Sequence, residues 1–237
     1  MSGHNKWSKI HRKKGLADAA RSNVYTKIAK EIMVAVKVGG SGDPDNNSKL
    51  KEVIAKAKSN NMPNDNIKRA ISKGVGDTSG ANYEAITYEG YGPAGIAVIV
   101  EALTNNKNRT AGDVRSYFDK SGGALGVSGS VSFMFNRLGV INVADQSEDK
   151  LLEILIESPL EDMTTDENMV TITVKPEHFN AVLQVLENNN IKTESANIEW
   201  VPTSTVAIPE DKSANFEKLI DTLEANDDVQ AVYHNAE

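Results

Sequence analysis

The sequence predicts an α+β protein: an N-terminal three-helix domain followed by two α+β domains, at least one of them ferredoxin-like. Three observations predict it. Up to residue 71, apolar residues recur at three- and four-residue steps, the period of a helix face. Beyond residue 82, short alternating runs and helical runs follow one another. Charge changes sign between the two regions: residues 1–76 carry 16 Lys and Arg against 6 Asp and Glu, and the rest carries 10 against 27. The whole-chain charge of −7 therefore hides a head of +10 on a body of −17.

Residues 1–15 hold five Lys/Arg, two His and one Trp with no acid, and read as an arm. From Ala17 to Val38, the residues Val24, Ile28, Ile32 and Ala35 share one helix face, and Gly39-Gly40 end the helix. A second helix, Ser48 to Asn60, carries Leu50, Val53, Ile54 and Ala57. Met62-Pro63 interrupts it, and Asn64 can cap a third helix with Ile67, Ala70 and Ile71. Ser72 to Ala81 is rich in Gly and Ser and coincides with the charge switch, so a domain boundary is placed there and the basic helical domain spans 1–76.

Tyr83–Glu89 and Ile96–Leu103 read as a hairpin, Arg109–Lys120 as a helix and Val131–Phe135 as a strand. Residues 138–201 show the order β-α-β-β-α-β of a ferredoxin-like plait. Its strands are Gly139–Val143, Glu161–Thr165, Met169–Val174 and Lys192–Trp200, and its helices Glu148–Glu157 and Pro176–Asn189. The tail reads as strand Thr205–Ile208, helix Asn215–Ala225 and strand Val229–His234, which is too small to fold alone. It is expected to complete the middle domain, giving 82–135 plus 203–237 as one discontinuous domain with 138–201 inserted.

Several function classes lack their residues. There is no cysteine, so disulfides, cysteine-zinc sites and thiol catalysis are excluded. No apolar run approaches the length of a membrane span, and the N-terminus has no secretory core, so a cytoplasmic protein without membrane attachment is expected. Gly90, Gly92 and Gly95 form G-x-G-x-x-G, but a strand-like run follows where a dinucleotide site needs a helix N-terminus, so a tight hairpin is expected. The histidines His4, His11, His178 and His234 have no carboxylate at dyad spacing. No catalytic site, cofactor or metal is expected.

The basic head points to nucleic acid. Lys6, Lys9, Arg12, Lys13 and Lys14 can neutralise phosphates, and His11 can touch phosphate or base. Trp7 offers a flat face for an unpaired base, or packs back on the bundle. Arg21, Lys27 and Lys30 extend this surface along the first helix, with Lys27 and Lys30 on one face. Asn105–Thr110 lies between a strand and a helix that Thr110 or Asn108 can cap, and places Arg109 beside an anion-accepting helix start, with Arg115 further along. A loop with a structural cap is the alternative there.

Five segments, in order, carry a family resemblance: Gly3-His4-Asn5-Lys6-Trp7, Asn61 to Ile67, Tyr88 to Pro93, Asn105 to Thr110, and Gly122 to Ser130. The chain resembles the YebC/PmpR family, related to the mitochondrial translational activator of cytochrome c oxidase. The resemblance implies three domains and a cytoplasmic DNA-binding regulator of transcription. It also implies the alternative of a translation factor acting on ribosomes stalled at proline-rich stretches. The partner expected is therefore nucleic acid, as DNA duplex or as ribosomal RNA, with room for a protein partner on the acidic domains.

Overall fold

The computed structural model describes residues 18–76 and 83–237, with side chains from Asn23 onward. The chain divides into two compact units, 1–134 with 202–237, and 135–201.

Three helices open the first unit: α1 (Asp18–Gly39), α2 (Ser48–Ser59) and α3 (Asn64–Gly76). Ile28, Ile32, Ala35, Leu50, Val53, Ala57, Ile67 and Ala70 are buried together, as their spacing predicts. Asn47 fixes the α1–α2 turn. Its Oδ1 accepts from Leu50 N at 3.1 Å, while its Nδ2 donates to Ala35 O and Ser41 O, each at 2.9 Å. The same unit holds a four-stranded sheet of β1 (Glu84–Tyr91), β2 (Ala97–Thr104), β3 (Ala124–Leu125) and β8 (Val229–His234), in the order β3-β1-β2-β8. β1 and β2 form the expected hairpin, with Glu84 opposite Thr104 and Tyr91 opposite Ala97. β8 lies antiparallel on β2, pairing Val98 with His234. Two helices, α4 (Lys107–Lys120) and α7 (Glu210–Ala225), cover one face, burying Val114, Phe118, Phe216, Leu219 and Leu223 on Ile96, Val98 and Val100.

The second unit contains β4 (Phe135–Ala144), α5 (Glu148–Ile154), β5 (Asp162–Asp166), β6 (Met169–Val174), α6 (Phe179–Asn188) and β7 (Ser195–Pro202). Its sheet order is β5-β6-β4-β7, the ferredoxin-like arrangement. Ile141, Val143, Val170, Ile172 and Val174 pack under Leu151, Phe179, Val182 and Leu186.

The structure departs from the sequence reading at three places. Residues 131–135 are not a separate strand: Ser132–Met134 is a 3₁₀ turn, and Phe135 begins β4. Backbone amides there bind a buried carboxylate instead of a neighbouring strand. Thr205–Ile208 is reduced to a single bridge, Val206 to Ala236. The C-terminal helix starts at Glu210 rather than Asn215, extended by Glu210 and Asp211, whose charges favour a helix start. Within the first unit, α1 also meets the end of α7 and the start of β8, and those contacts bear directly on the candidate site.

Candidate nucleic-acid interface

Of the twelve cationic and aromatic residues singled out from sequence, Lys6, Trp7, Lys9, His11, Arg12, Lys13 and Lys14 lie outside the described residues, and so does the side chain of Arg21. Arg115 stands exposed on α4. The other three converge on the turn between α7 and β8.

Lys27 and Lys30 do share a face of α1, and that face meets their own chain. Lys27 Nζ donates to Glu224 O at 2.6 Å. Lys30 Nζ donates to Asp227 O at 2.8 Å and to Asp228 Oδ1 at 3.1 Å. Asn23 Nδ2 adds a bond to Glu224 O at 3.3 Å. The carbonyls at the end of α7 carry the negative end of that helix, so two ammonium groups there are well placed. Burial lowers the pKa of Lys27, with Glu224 and Asp227 pulling it back up.

Asp228 is the centre of this contact. Its side chain is 8% exposed. Besides Lys30, its carboxylate accepts from Arg109 Nη2 at 2.5 Å, Thr110 Oγ1 at 2.9 Å and Thr104 Oγ1 at 3.1 Å. Burial acts to raise the Asp228 pKa, but the hydrogen bonds from Arg109, Lys30 and Thr110 outweigh it and bring it down to about 2. The carboxylate is thus ionised at neutral pH and joins α1, β2, α4 and β8. The α4 cap differs from expectation: Asn106 Oδ1 accepts from Arg109 N at 3.1 Å, while Thr110 is drawn to Asp228.

Cations that the sequence reading passed over face water. Lys51 and Lys58 on α2, and Lys68 and Lys73 on α3, are exposed and have no ion-pair partner among the described residues. Arg69 is exposed beside them and bonds to Asn66 Oδ1 at 2.8 Å. The signal that finds them is periodicity: they occupy the positions complementary to Leu50, Val53, Ala57, Ile67 and Ala70.

Residues 5–77 match the TACO1/YebC protein N-terminal domain, and residues 83–236 match the TACO1/YebC second and third domain. The chain belongs to the TACO1/YebC family. A relative from Clostridium beijerinckii is 51% identical over 239 residues, covering 100% of this chain and 97% of the relative. One from Treponema denticola is 48% identical over 239 residues, covering 100% and 96%. Both are described as a "probable transcriptional regulatory protein". The crystal structure of a conserved hypothetical protein from Aquifex aeolicus is similar with a TM-score of 0.83 and 43% identity, covering 93% of this chain and 91% of that one.

Gly3 to Trp7 lies outside the described residues, and the other four segments that carry the family resemblance are points where the chain is tied. Asn61 to Ile67 is the α2–α3 turn, where Tyr25 Oη donates to Asn61 O at 2.9 Å and Met62 is buried. Tyr88 to Pro93 is the hairpin, where Gly90 lets β3 approach: a Cβ there would sit 2.6 Å from Ala124 O. Asn105 to Thr110 supplies the Asp228 cluster. Gly122 to Ser130 begins a loop built around Glu89, which is 5% exposed and accepts from Gly129 N, Val131 N and Ser132 N at 2.8, 2.9 and 2.8 Å. Burial acts to raise the Glu89 pKa, and those three amides more than reverse it, leaving it lowered.

Proposed function

We propose that this chain is a nucleic-acid-binding regulatory factor, acting on transcription through its basic N-terminal 76 residues and working by binding rather than by catalysis. The observation that carries the reading is the basic outer face of α2 and α3, with Lys51, Lys58, Lys68 and Lys73 exposed and unpaired among the described residues, in a head of net charge +10. The description shared by its relatives supports it. The residues singled out in the arm, Lys6, Trp7, Lys9, His11, Arg12, Lys13 and Lys14, belong to the same proposal. Cytoplasmic action fits the reading, and among the described residues no helix is long and apolar enough to cross a membrane.

A second reading, a translation factor on the ribosome, is favoured by one observation. The remaining 161 residues carry a net −17, which an extended duplex repels, whereas basic ribosomal proteins would welcome it. Competition binding at about 150 mM salt, where weak non-specific contacts are screened, separates the two. Transcription is supported if a particular duplex displaces ribosomes and a scrambled duplex does not. If ribosomes displace every duplex, the translation reading replaces it. If neither binds, both fail.

A further inference from the structure

From Ser121 to Asn136 the chain runs sixteen residues without a charged side chain, in a protein whose residues are 25% charged. About four charges would be expected there. The stretch holds the loop around Glu89, and its backbone is fastened at several points. Glu89 Oε1 accepts from Gly129 N, and Oε2 accepts from Val131 N and Ser132 N. Gly126 N donates to Glu89 O at 2.8 Å, Tyr91 Oη donates to Ser130 O at 3.2 Å, and Val131 is fully buried. This loop holds Phe133 73% exposed and Val127 78% exposed. The other four phenylalanines, Phe118, Phe135, Phe179 and Phe216, are 7% exposed or less.

We infer that Phe133 is a stacking platform for an unpaired base of single-stranded nucleic acid, held out by the Glu89-fastened loop. The inference rests on the nucleic-acid reading above and adds a second contact, outside the basic head. Charge selects the occupant. A polyanion is repelled by a body of −17, and this loop is a stretch of that body with no carboxylate to repel it. Glu89, beneath it, is turned inward, and its charge is met by three amides. An aromatic face on a rigid, neutral support accepts any base, because each base has a π-face. Phe133 and Val127, even with Tyr91 39% exposed beside Ser130, are by contrast a small footing for a protein partner, which needs a contiguous apolar core.

The test is fluorescence anisotropy of labelled single-stranded RNA and DNA 12-mers of one sequence, with the full chain at about 100 mM salt. Phe133→Ala and Phe133→Leu should each weaken binding about 5- to 150-fold, the range for loss of one stacked base, while Phe133→Trp should retain it. Ser128→Asp, which leaves the ring in place and adds an acid to the loop, should also weaken binding, and more so as salt is lowered. Preference for the RNA or the DNA strand identifies the natural source, and either supports the inference. Leucine as good as phenylalanine would mean that the ring offers only apolar surface, as to a protein, and would overturn it. Alanine without effect, while the wild type still binds, would overturn it and leave the nucleic-acid reading standing. No binding of any strand by the wild type, even at low salt, would sink both.

Discussion

Replacing Asp228 by asparagine should cost about 2 kcal/mol of stability at pH 7, and the cost should shrink in acid. Asparagine keeps the shape of the side chain. Its oxygen can still accept from Arg109 and Thr110, but its amide then points a donor at the Lys30 ammonium, 3.1 Å from the displaced oxygen. The magnitude follows from the carboxyl itself, whose pKa falls from an ordinary 3.8 to about 2 on folding. A shift of that size is worth about 2 kcal/mol in favour of the ionised, folded form. Loss of one partner of a buried pair usually costs ~3–5 kcal/mol. Here Arg109 is 49% exposed and can turn to water, so the lower figure applies. Because the folded pKa is depressed, the contribution is complete above the unfolded value and disappears as pH falls through the folded one. At about pH 3 roughly half of it should remain, and at about pH 1 almost none. Urea unfolding followed by circular dichroism, for wild type and variant at pH 7 and pH 3, measures the gap. Hydrogen exchange of peptides covering α1 and the α7–β8 turn locates it. Equal stability at pH 7, or a gap that does not narrow at pH 3, would refute the account of Asp228 as an ionised tie between the helices and the sheet.

Three further outcomes are expected. Glu89→Gln presents an amide to backbone N–H groups that now share a carboxylate, and should cost about 1.5–3 kcal/mol. It should also speed chymotrypsin cleavage after Phe133. In the wild type, the lowered Glu89 pKa means that this support is complete above the ordinary glutamate value and is lost as pH falls through the folded value beneath it, which cleavage rates across that range would show. Gly74→Ala improves helix propensity by up to ~1 kcal/mol, but its Cβ would lie 2.9 Å from Val36 Cβ and 3.2 Å from Met33 Cα, so overpacking of ~1–3 kcal/mol should win and thermal unfolding should move down. Changing Lys51, Lys58, Lys68 and Lys73 together to glutamine should reduce the slope of log affinity against log salt for duplex by roughly three to four, at ~0.9 per phosphate contact. An unchanged slope would remove α2 and α3 from the interface.

What was legible in the sequence was what a local period can carry. Val24, Ile28, Ile32 and Ala35 mark the inner face of α1, and the alternation through 138–201 marks the plait, because each element's burial repeats within its own length. Glu89 was not legible. A lone acid in an alternating strand reads as a solvated residue, and the amides that bind it come from about forty residues downstream. The same contact explains the error at Val131–Phe135. Apolar residues at both ends of that run suggest a strand, yet the Val131 and Ser132 amides are taken by Glu89 before any neighbouring strand can reach them.

The cations show the same limit from the other side. Helical spacing puts Lys27 and Lys30 on one face of α1, where their charge suits phosphate. That face meets carbonyls and a carboxylate 197 and 198 residues away in the chain. No spacing rule reaches that far. A lysine already bound to an acid of its own chain can serve a phosphate only by giving up that contact, and with its pKa at about 2 the Asp228 carboxylate is ionised and competes for Lys30 at neutral pH. The net charge of +10 therefore overstates the free positive surface of the head. Among the described residues of the head, the outward lysines of α2 and α3 can answer a polyanion without first undoing the fold, and periodicity marks them only as positions that do nothing for the core.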